Sequence, residues 1–178
     1  MALKSTIHKA ELQISDMDRN HYQSYSLTLA RHPSETDERM MWRLVAFALN
    51  ADELLSFCKG ISTDDEPDLW QKSLSDEIEC WIDLGQPDEK RLRRACGRSK
   101  RVMVYPYAER SAQIWWQQNE AAYQRFDNLS VCKLSVAGED SLSDLVQKNM
   151  ELTCTIQEGQ VWLSDGERDL TVEQTVWK

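Results

Sequence analysis

Four acidic residues are the side chains of this sequence best placed to do chemistry, because each falls in or beside a segment with a clear structural pattern. They are Glu38, Glu66, Asp68 and Asp83. Carboxylate oxygens, with water or phosphate completing the shell, are the ligands that Mg²⁺ prefers. A metal held in this way can polarise a phosphodiester and help to generate an attacking hydroxide. If these acids converge, the sequence predicts a Mg²⁺ site suited to phosphodiester hydrolysis.

The competing interpretation is that these acids are solvated surface residues. The chain has 30 Asp and Glu residues against 21 Lys and Arg residues, and its net charge is -9. Glu38 falls in the first turns of a predicted helix, where the helix dipole favours an acid whatever its function. Asp83 is harder to explain in this way, because Trp81 shares its predicted strand face and indicates that this face is covered.

A basic run follows the acidic strand and could bind a phosphate or another anion. It contains seven of the 21 basic residues, namely Lys90, Arg91, Arg93, Arg94, Arg98, Lys100 and Arg101. Lys90 or Arg91 would be near enough to Asp83 along the chain to steady a phosphate there. The alternative is a solubilising helix face whose cations are favoured near the helix C-terminus.

Two adjacent tryptophans, Trp115 and Trp116, form a third candidate feature. On a helix they point about 100° apart, so we do not expect both to lie in the centre of a core. One of them could stack on a base. A core position with an interface edge is the simpler interpretation.

Several standard sites are absent from the sequence. It has no P-loop, dinucleotide-binding glycine pattern, HExxH motif or GxSxG elbow. The three histidines, His8, His21 and His32, lack metal-ligand spacing. The five cysteines show no CxxC pair and are predicted to be small buried hydrophobes in a reducing compartment; they are Cys58, Cys80, Cys96, Cys132 and Cys154.

Two neighbouring segments must position Asp83 and the basic run. Strict alternation over residues 78–84 predicts a strand that carries Asp83 near its end. Asp88 is a suitable N-cap for a helix over residues 89–98, which carries Lys90 and Arg91.

Glu38 depends on an earlier helix. Ser34, after Pro33, is predicted to cap a helix whose apolar residues recur at helical spacing as far as residue 49. A second helical stretch is predicted over residues 53–57.

The other segments alternate between strand and helix patterns. Residues 6–14 and 22–30 predict an N-terminal hairpin, and residues 151–156 and 161–163 predict a C-terminal hairpin. The remaining predictions are strands over 101–105, 129–136 and 170–176 and helices over 112–126 and 141–148. Interleaved helices and strands indicate an α+β class with a mixed β-sheet and flanking helices.

The length of 178 residues suits a single domain over residues 1–178. No apolar run approaches the roughly 18 residues of a membrane span, and no signal peptide is visible, so we expect a cytoplasmic protein without a membrane partner. The charge of -9 argues against a protein that coats nucleic acid. It does not exclude a local basic groove that binds nucleic acid, and the sequence identifies no protein partner.

Four stretches of this sequence resemble the YaeQ family of bacterial proteins, as does the closing Gly-x-Val-Trp-Leu-Ser segment. They are LARHPSET at 29–36, DDEP at 64–67, WIDLGQPD at 81–88 and AQIWW at 112–116. The resemblance extends over essentially the whole chain. It implies a restriction-endonuclease-like core, a variant of the PD-(D/E)XK nuclease fold, with hairpins added at both ends. It implies no established activity.

The resemblance also assigns roles to individual residues. Glu38 would match the acid on the first core helix, Glu66 or Asp68 the first strand acid, and Asp83 the acid that opens the (D/E)XK triplet. Gly85 stands where the nuclease pattern has its lysine. Lys90 or Arg91 would then supply that charge from the next helix.

Two functions are consistent with these features. The first is a Mg²⁺-dependent nuclease or phosphodiesterase, with Glu38, Glu66, Asp68 and Asp83 as metal ligands and Lys90 or Arg91 at the phosphate. The second is a non-catalytic module that retains a degenerate nuclease core and binds nucleic acid or a protein. The set of four candidate acids favours the first function, and the glycine at position 85 favours the second. Of the two, the sequence slightly favours the nuclease-like site.

Overall fold

The computed structural model describes residues 4–59, 61 and 63–178 and separates the chain into two compact units. Unit 1 comprises Met1–Leu49 and Val136–Gln174, and unit 2 comprises Asn50–Ser135 and Thr175–Lys178. The predicted single domain over residues 1–178 stays a prediction, because two such units can belong to one domain or to two.

Strands and helices alternate along most of the chain. In order, the elements are β1 (Thr6–Asp16), β2 (His21–Arg31), α1 (Asp37–Leu49), β3 (Leu55–Phe57), β4 (Leu69–Lys72), β5 (Ile78–Leu84), α2 (Glu89–Arg98), β6 (Ser99–Tyr105), α3 (Glu109–Tyr123), β7 (Leu129–Val136), a 3₁₀ helix (Leu142–Leu145), β8 (Asn149–Gln157), β9 (Gln160–Ser164) and β10 (Asp169–Val176). Among the described helices, none is both long and apolar enough to cross a membrane.

The strands of unit 1 lie in the order β2-β1-β8-β9-β10, with β1 parallel to β8 and the other neighbouring strands antiparallel. Alternate residues of β1, namely Ala10, Leu12 and Ile14, are buried, because successive strand residues point to opposite faces. The α1 helix lies against β2 and the 3₁₀ helix. Both predicted terminal hairpins are present.

The strands of unit 2 lie in the order β7-β6-β5-β4-β3. The three strands β5, β6 and β7 are parallel, and β4 and β3 continue the sheet antiparallel. Parallel neighbours need a crossover connection, which α2 and α3 provide. Both units therefore mix parallel and antiparallel pairing, which confirms the predicted α+β class with a mixed sheet and helices.

Buried aromatic and aliphatic side chains form the core of unit 2. Trp81, Leu92, Val102 and Tyr123 each have no exposed surface, and they belong to one hydrophobic cluster that joins β5, α2, β6 and α3. The α2 helix packs against β6 and α3. This packing fixes the first turn of α2 beside the end of β5, where Asp83 lies.

Three element predictions were wrong. The α1 helix begins at Asp37, because Thr36 Oγ1 rather than Ser34 accepts the Arg39 N–H at 3.1 Å. Residues 53–57 are not helical: Asp52 makes a turn by accepting the Leu54 N–H at 2.8 Å, and β3 then pairs with β4. The helix predicted over 141–148 is only the short 3₁₀ helix, whose N-terminus has a capping box formed by Ser141 and Asp144.

Candidate functional site

Two buried carboxylates lie together where β4 begins and β5 ends. Asp83 is 2% exposed and Asp68 is 3% exposed. The Asp68 N–H donates to the Ile82 carbonyl at 3.1 Å, and Asp68 Oδ2 accepts the Leu84 N–H at 2.8 Å. Strand pairing therefore positions Asp68 beside Asp83.

Arg91 occupies both oxygens of Asp83. Its Nε donates to Oδ2 at 2.8 Å and its Nη2 donates to Oδ1 at 2.9 Å. Nη2 also donates to the Glu66 carbonyl at 2.9 Å. This two-pronged contact is the strongest geometry for an arginine and a carboxylate. Asp88 accepts the Arg91 N–H at 2.8 Å, so the cap of α2 also fixes the backbone from which Arg91 reaches β5.

Burial and charge act in opposite directions on this pair. Burial raises the pKa of Asp83, Arg91 opposes that rise by hydrogen bonding and charge, and Asp68 adds to it. Burial also opposes the charged form of Arg91, yet the contact with Asp83 raises the pKa of Arg91 overall. Arg91 therefore remains positively charged, and it contacts an Asp83 carboxylate that has little access to water.

Trp81 covers the same site. It has no exposed surface, and the guanidinium carbons of Arg91 and Arg98 lie 5.7 Å and 5.4 Å from its ring centroid. Among the described residues, Trp81 Nε1 has no hydrogen-bond partner of ordinary length. It nevertheless lies close enough to Asp83 to lower the pKa of the Asp83 carboxyl slightly. The expectation that Trp81 marks a covered strand face is correct.

The other two predicted metal ligands have different surroundings. Glu66 Oε2 accepts the Lys59 N–H at 3.1 Å. Glu38 belongs to unit 1, and its Oε1 accepts the Trp42 Nε1–H at 3.3 Å. The structure thus brings Asp68, Asp83 and the backbone of Glu66 together within unit 2.

The side chains as placed do not fit a Mg²⁺ ion. Mg²⁺ needs carboxylate oxygens that are free to coordinate it, whereas both oxygens of Asp83 bind Arg91. Over residues 4–59, 61 and 63–178, no three His, Cys, Asp or Glu residues are grouped closely enough to hold a metal. The Mg²⁺ role of Glu38, Glu66, Asp68 and Asp83 stays a prediction.

Gly85 has a backbone conformation that disfavours any other residue. Its φ is +88°, and its N–H donates to the Tyr105 carbonyl at 3.0 Å. A Cβ there would meet nothing within 4 Å, so the constraint comes from the backbone and not from space. Left-handed backbone costs a non-glycine residue about 1–2 kcal/mol. A lysine at this position would therefore be strained.

A small basic pocket adjoins the buried pair. Its volume is about 200 Å³, and it is lined by Asp64, Asp88, Lys90, Arg91 and Arg94. Lys90 is exposed, and the side chain of Arg94 is 40% exposed. Both residues proposed for phosphate binding, Lys90 and Arg91, therefore contribute to one cavity.

Three arginines on one face of α2 hold the segment 64–66, which the sequence did not predict. Arg91 and Arg94 each donate to the Asp64 carbonyl at 3.4 Å. Arg98 donates to the Asp65 carbonyl at 3.0 Å. The available signal was the spacing of Arg91, Arg94 and Arg98, which places them on one helix face opposite an acidic segment.

Trp115 and Trp116 are both buried, with exposures of 8% and 6%. Trp115 Nε1 donates to the Pro87 carbonyl at 3.1 Å, and Trp116 stacks on Trp177 with centroids 5.8 Å apart. The expectation that only one would be central was wrong, because the C-terminal Trp177 covers the second. This burial leaves neither ring available to stack on a base.

The cysteines are all free thiols. Cys80, Cys132 and Cys154 are buried as predicted, whereas Cys58 and Cys96 are partly exposed. Burial raises the pKa of Cys58 to about 12 and that of Cys96 to about 11. Neither group is a thiolate near neutral pH, so neither has the character of a catalytic nucleophile.

Comparison with known proteins supports the resemblance noted in the sequence. Residues 1–174 match the family model described as YaeQ protein. "Uncharacterized protein YaeQ" of Escherichia coli (strain K12) is 47% identical over 178 residues, and that of Salmonella typhi is 46% identical; each match covers 100% of this chain and 98% of the relative.

Two solved structures have the same fold. The crystal structure of YaeQ protein from Xanthomonas axonopodis pv. citri gives a TM-score of 0.91 at 46% identity, covering 98% of both chains. The crystal structure of YaeQ protein from Pseudomonas syringae gives a TM-score of 0.90 at 35% identity, covering 98% of this chain and 96% of that one.

Proposed function

Since this chain belongs to the YaeQ family, we propose that it is a non-catalytic nucleic-acid-binding module with a degenerate nuclease-like core. The observation that carries the proposal is the contact of Arg91 with both oxygens of Asp83. A guanidinium occupies the position in which the nuclease interpretation requires a metal ion. The protein therefore has a cation beside the basic pocket, but a guanidinium cannot activate water as a metal ion does.

The energetics of Asp83 support a binding role over a hydrolytic one. A metal could use Asp83 only after Arg91 had left it, and removing one partner of a buried ion pair costs about 3–5 kcal/mol, which metal binding would have to offset. Gly85, with its φ of +88°, makes a lysine two residues later unfavourable as well. Nuclease catalysis would need a metal ion at Asp83 and a lysine at position 85, and this strand end has Arg91 and a glycine instead.

Nucleic acid is the partner that best suits the cations of α2. Arginine and lysine contacts to phosphate provide most of the sequence-independent affinity for nucleic acids. Lys90 and Arg94 are accessible beside Arg91. The net charge of -9 limits long-range attraction, so we expect binding that is local, modest and strongly weakened by salt.

The test combines a cleavage assay with a binding assay. Linear and branched DNA and RNA are incubated with the protein and Mg²⁺ or Mn²⁺, and binding of the same substrates is followed by fluorescence anisotropy at low and moderate salt. We expect binding without cleavage. Asp83→Ala and Asp83→Asn serve as variants, with circular dichroism to confirm that each one is folded.

Two outcomes would overturn the proposal. Cleavage that disappears in a folded Asp83 variant would identify the protein as a metal-dependent phosphodiesterase. In that case Mg²⁺ should also raise the melting temperature of the wild type and not of the variant, because an ion that binds only the folded state stabilises it. Failure to bind any of the nucleic acids at low salt would leave a protein partner as the remaining interpretation.

A further inference from the structure

We infer that the pocket formed by Lys90, Arg91 and Arg94 binds a terminal phosphate monoester of a nucleic acid strand. This inference rests on the proposed function and names the group that the site recognises. Arg91 is the central contact, since it links the buried Asp83 to the cavity.

Arg91 is already oriented for an anion. Its Nε and Nη2 are held by Asp83 and by the Glu66 carbonyl. Nη1 lies on the side of Asp64, 3.4 Å from the Asp64 carbonyl and 4.0 Å from its carboxylate. A side chain that is fixed before binding loses little conformational freedom when the ligand arrives.

The Asp64 carboxylate indicates where a phosphate would lie. At 4.0 Å from Arg91 Nη1 it is too distant for a hydrogen bond, and its side chain is fully exposed. Its contact with Arg91 is therefore weak, and a more highly charged anion can replace it. Asp88 differs, because it is committed to capping α2 through the Arg91 N–H. The Arg91 N–H is thus not available to a ligand.

Lys90 and Arg94 complete the cation set. Lys90 makes no ion pair within the part of the chain that the structure describes, and it is exposed at the pocket. Arg94 contacts Asp65 at 3.3 Å, but 84% of the Asp65 side chain is exposed, so solvent screens this pair. Lys90 can therefore turn towards a ligand at little cost, whereas Arg94 would give up this exposed pair and its 3.4 Å hydrogen bond to the Asp64 carbonyl.

The size and charge of the pocket favour a phosphate monoester. A volume of about 200 Å³ is smaller than the roughly 300–1,000 Å³ of a typical small-molecule site, so it suits one group and not a whole nucleotide. Lys90, Arg91 and Arg94 line the pocket with two carboxylates; Asp83 balances the charge of Arg91, so the free positive charge comes mainly from Lys90. A monoester carries roughly -1.5 to -2 charge at neutral pH, more than the single charge of a backbone phosphodiester, and it gains more from such a site.

The test compares oligonucleotides that differ only in their ends. Fluorescence anisotropy measures binding of one short strand with a 5′-phosphate, a 3′-phosphate or free hydroxyls. We expect at least one phosphorylated strand to bind about tenfold more tightly than the hydroxyl strand, which corresponds to about 1.4 kcal/mol. Inorganic phosphate, at an ionic strength matched with chloride, should compete selectively with the phosphorylated strand.

Matched variants locate the effect. Lys90→Ala and Arg94→Ala should each reduce the preference for the phosphorylated strand, and Asp64→Asn should increase it. Arg93→Ala is the control, since Arg93 is on the same helix but pairs with Glu89 outside the pocket. That variant should weaken all strands alike and leave the preference unchanged.

The outcomes separate this inference from the proposed function. Equal and measurable affinity for all three strands, or a preference that survives both pocket variants, would overturn the phosphate site while nucleic-acid binding stands. Inorganic phosphate that weakens every strand equally would do the same. Absence of binding to all strands at low salt would refute the proposed function itself.

Discussion

Replacing Arg91 by methionine tests whether the buried ion pair is organised as the structure indicates. Methionine has an unbranched stem like that of arginine, but the substitution removes the guanidinium that contacts Asp83, which is 2% exposed. Loss of one partner from a buried pair costs about 3–5 kcal/mol, because the other charge is left without compensation. The Arg91 side chain is 21% exposed, so water can reach part of the vacated space. We therefore expect a loss near the lower limit, about 3 kcal/mol at neutral pH.

The pH dependence of this loss has a defined sign. Burial raises the pKa of Asp83, and Arg91 is the main group that opposes the rise. Without Arg91 the folded-state pKa rises further above the unfolded value of about 3.9. The folded state then binds more protons than the unfolded state, so stability falls as pH increases from the unfolded to the folded pKa, by at most about 1.4 kcal/mol per pH unit.

Urea denaturation followed by tryptophan fluorescence, at several pH values between acidic and neutral, measures this effect. Arg91→Met should lose more stability at neutral than at acidic pH. The double variant Asp83→Asn/Arg91→Met should recover most of the loss, because it leaves no uncompensated charge at position 83. Arg93→Met, which removes an exposed arginine from the same helix, is the control and should change little. A loss below about 1 kcal/mol for Arg91→Met, within the range of a surface pair, or a loss independent of pH, would refute the reasoning.

Two further predictions follow from the backbone and from the thiols. Gly85→Ala should destabilise the protein by about 1–2 kcal/mol, because residue 85 has a positive φ. Gly97→Ala, which lies within α2 with open space around the Cβ, should stabilise the protein by about 0.5–1 kcal/mol. Urea denaturation measures both free energies of unfolding, and equal effects would contradict the backbone explanation. Cys58 and Cys96, whose pKa values are raised to about 12 and about 11, should react with iodoacetamide at mildly alkaline pH much more slowly in the folded protein than in urea, as mass spectrometry would detect. Rapid labelling of either cysteine in the folded protein would contradict the raised pKa.

Local sequence signals predicted the elements that position the candidate site. Strand β5 and helix α2 have the predicted limits, because alternation over 78–84 and the Asp88 cap are both encoded within the element itself. Strand β3 was predicted as helix because its three residues carry no pattern of their own. Its conformation depends on pairing with β4, whose partner residues lie 12 to 16 positions further along the chain, and strand preference is set largely by such neighbours.

The residues of the site were predictable, but the contact between Asp83 and Arg91 was not. The sequence singled out Asp83 and Arg91 separately, the first for a metal and the second for a phosphate. They are eight residues apart, on a strand and on the following helix. Whether their side chains meet depends on the angle at which α2 leaves the sheet, which is set by the packing of Leu92 and Tyr123 in the core. The C-terminal Trp177, which covers Trp116, is another contact that only the fold reveals.

The buried pair links the stability of unit 2 to its proposed function. Replacing a buried ion pair by apolar residues of similar size is often neutral or even stabilising by about 1–4 kcal/mol. Stability alone therefore does not account for a carboxylate at position 83 with almost no access to water. Orientation does, because Asp83 holds two nitrogens of Arg91 and leaves the third directed towards the pocket side. If so, the Asp83→Asn/Arg91→Met variant should keep most of the wild-type stability and yet lose its preference for phosphorylated ends. A stable double variant that kept this preference would show that the pair has no part in binding.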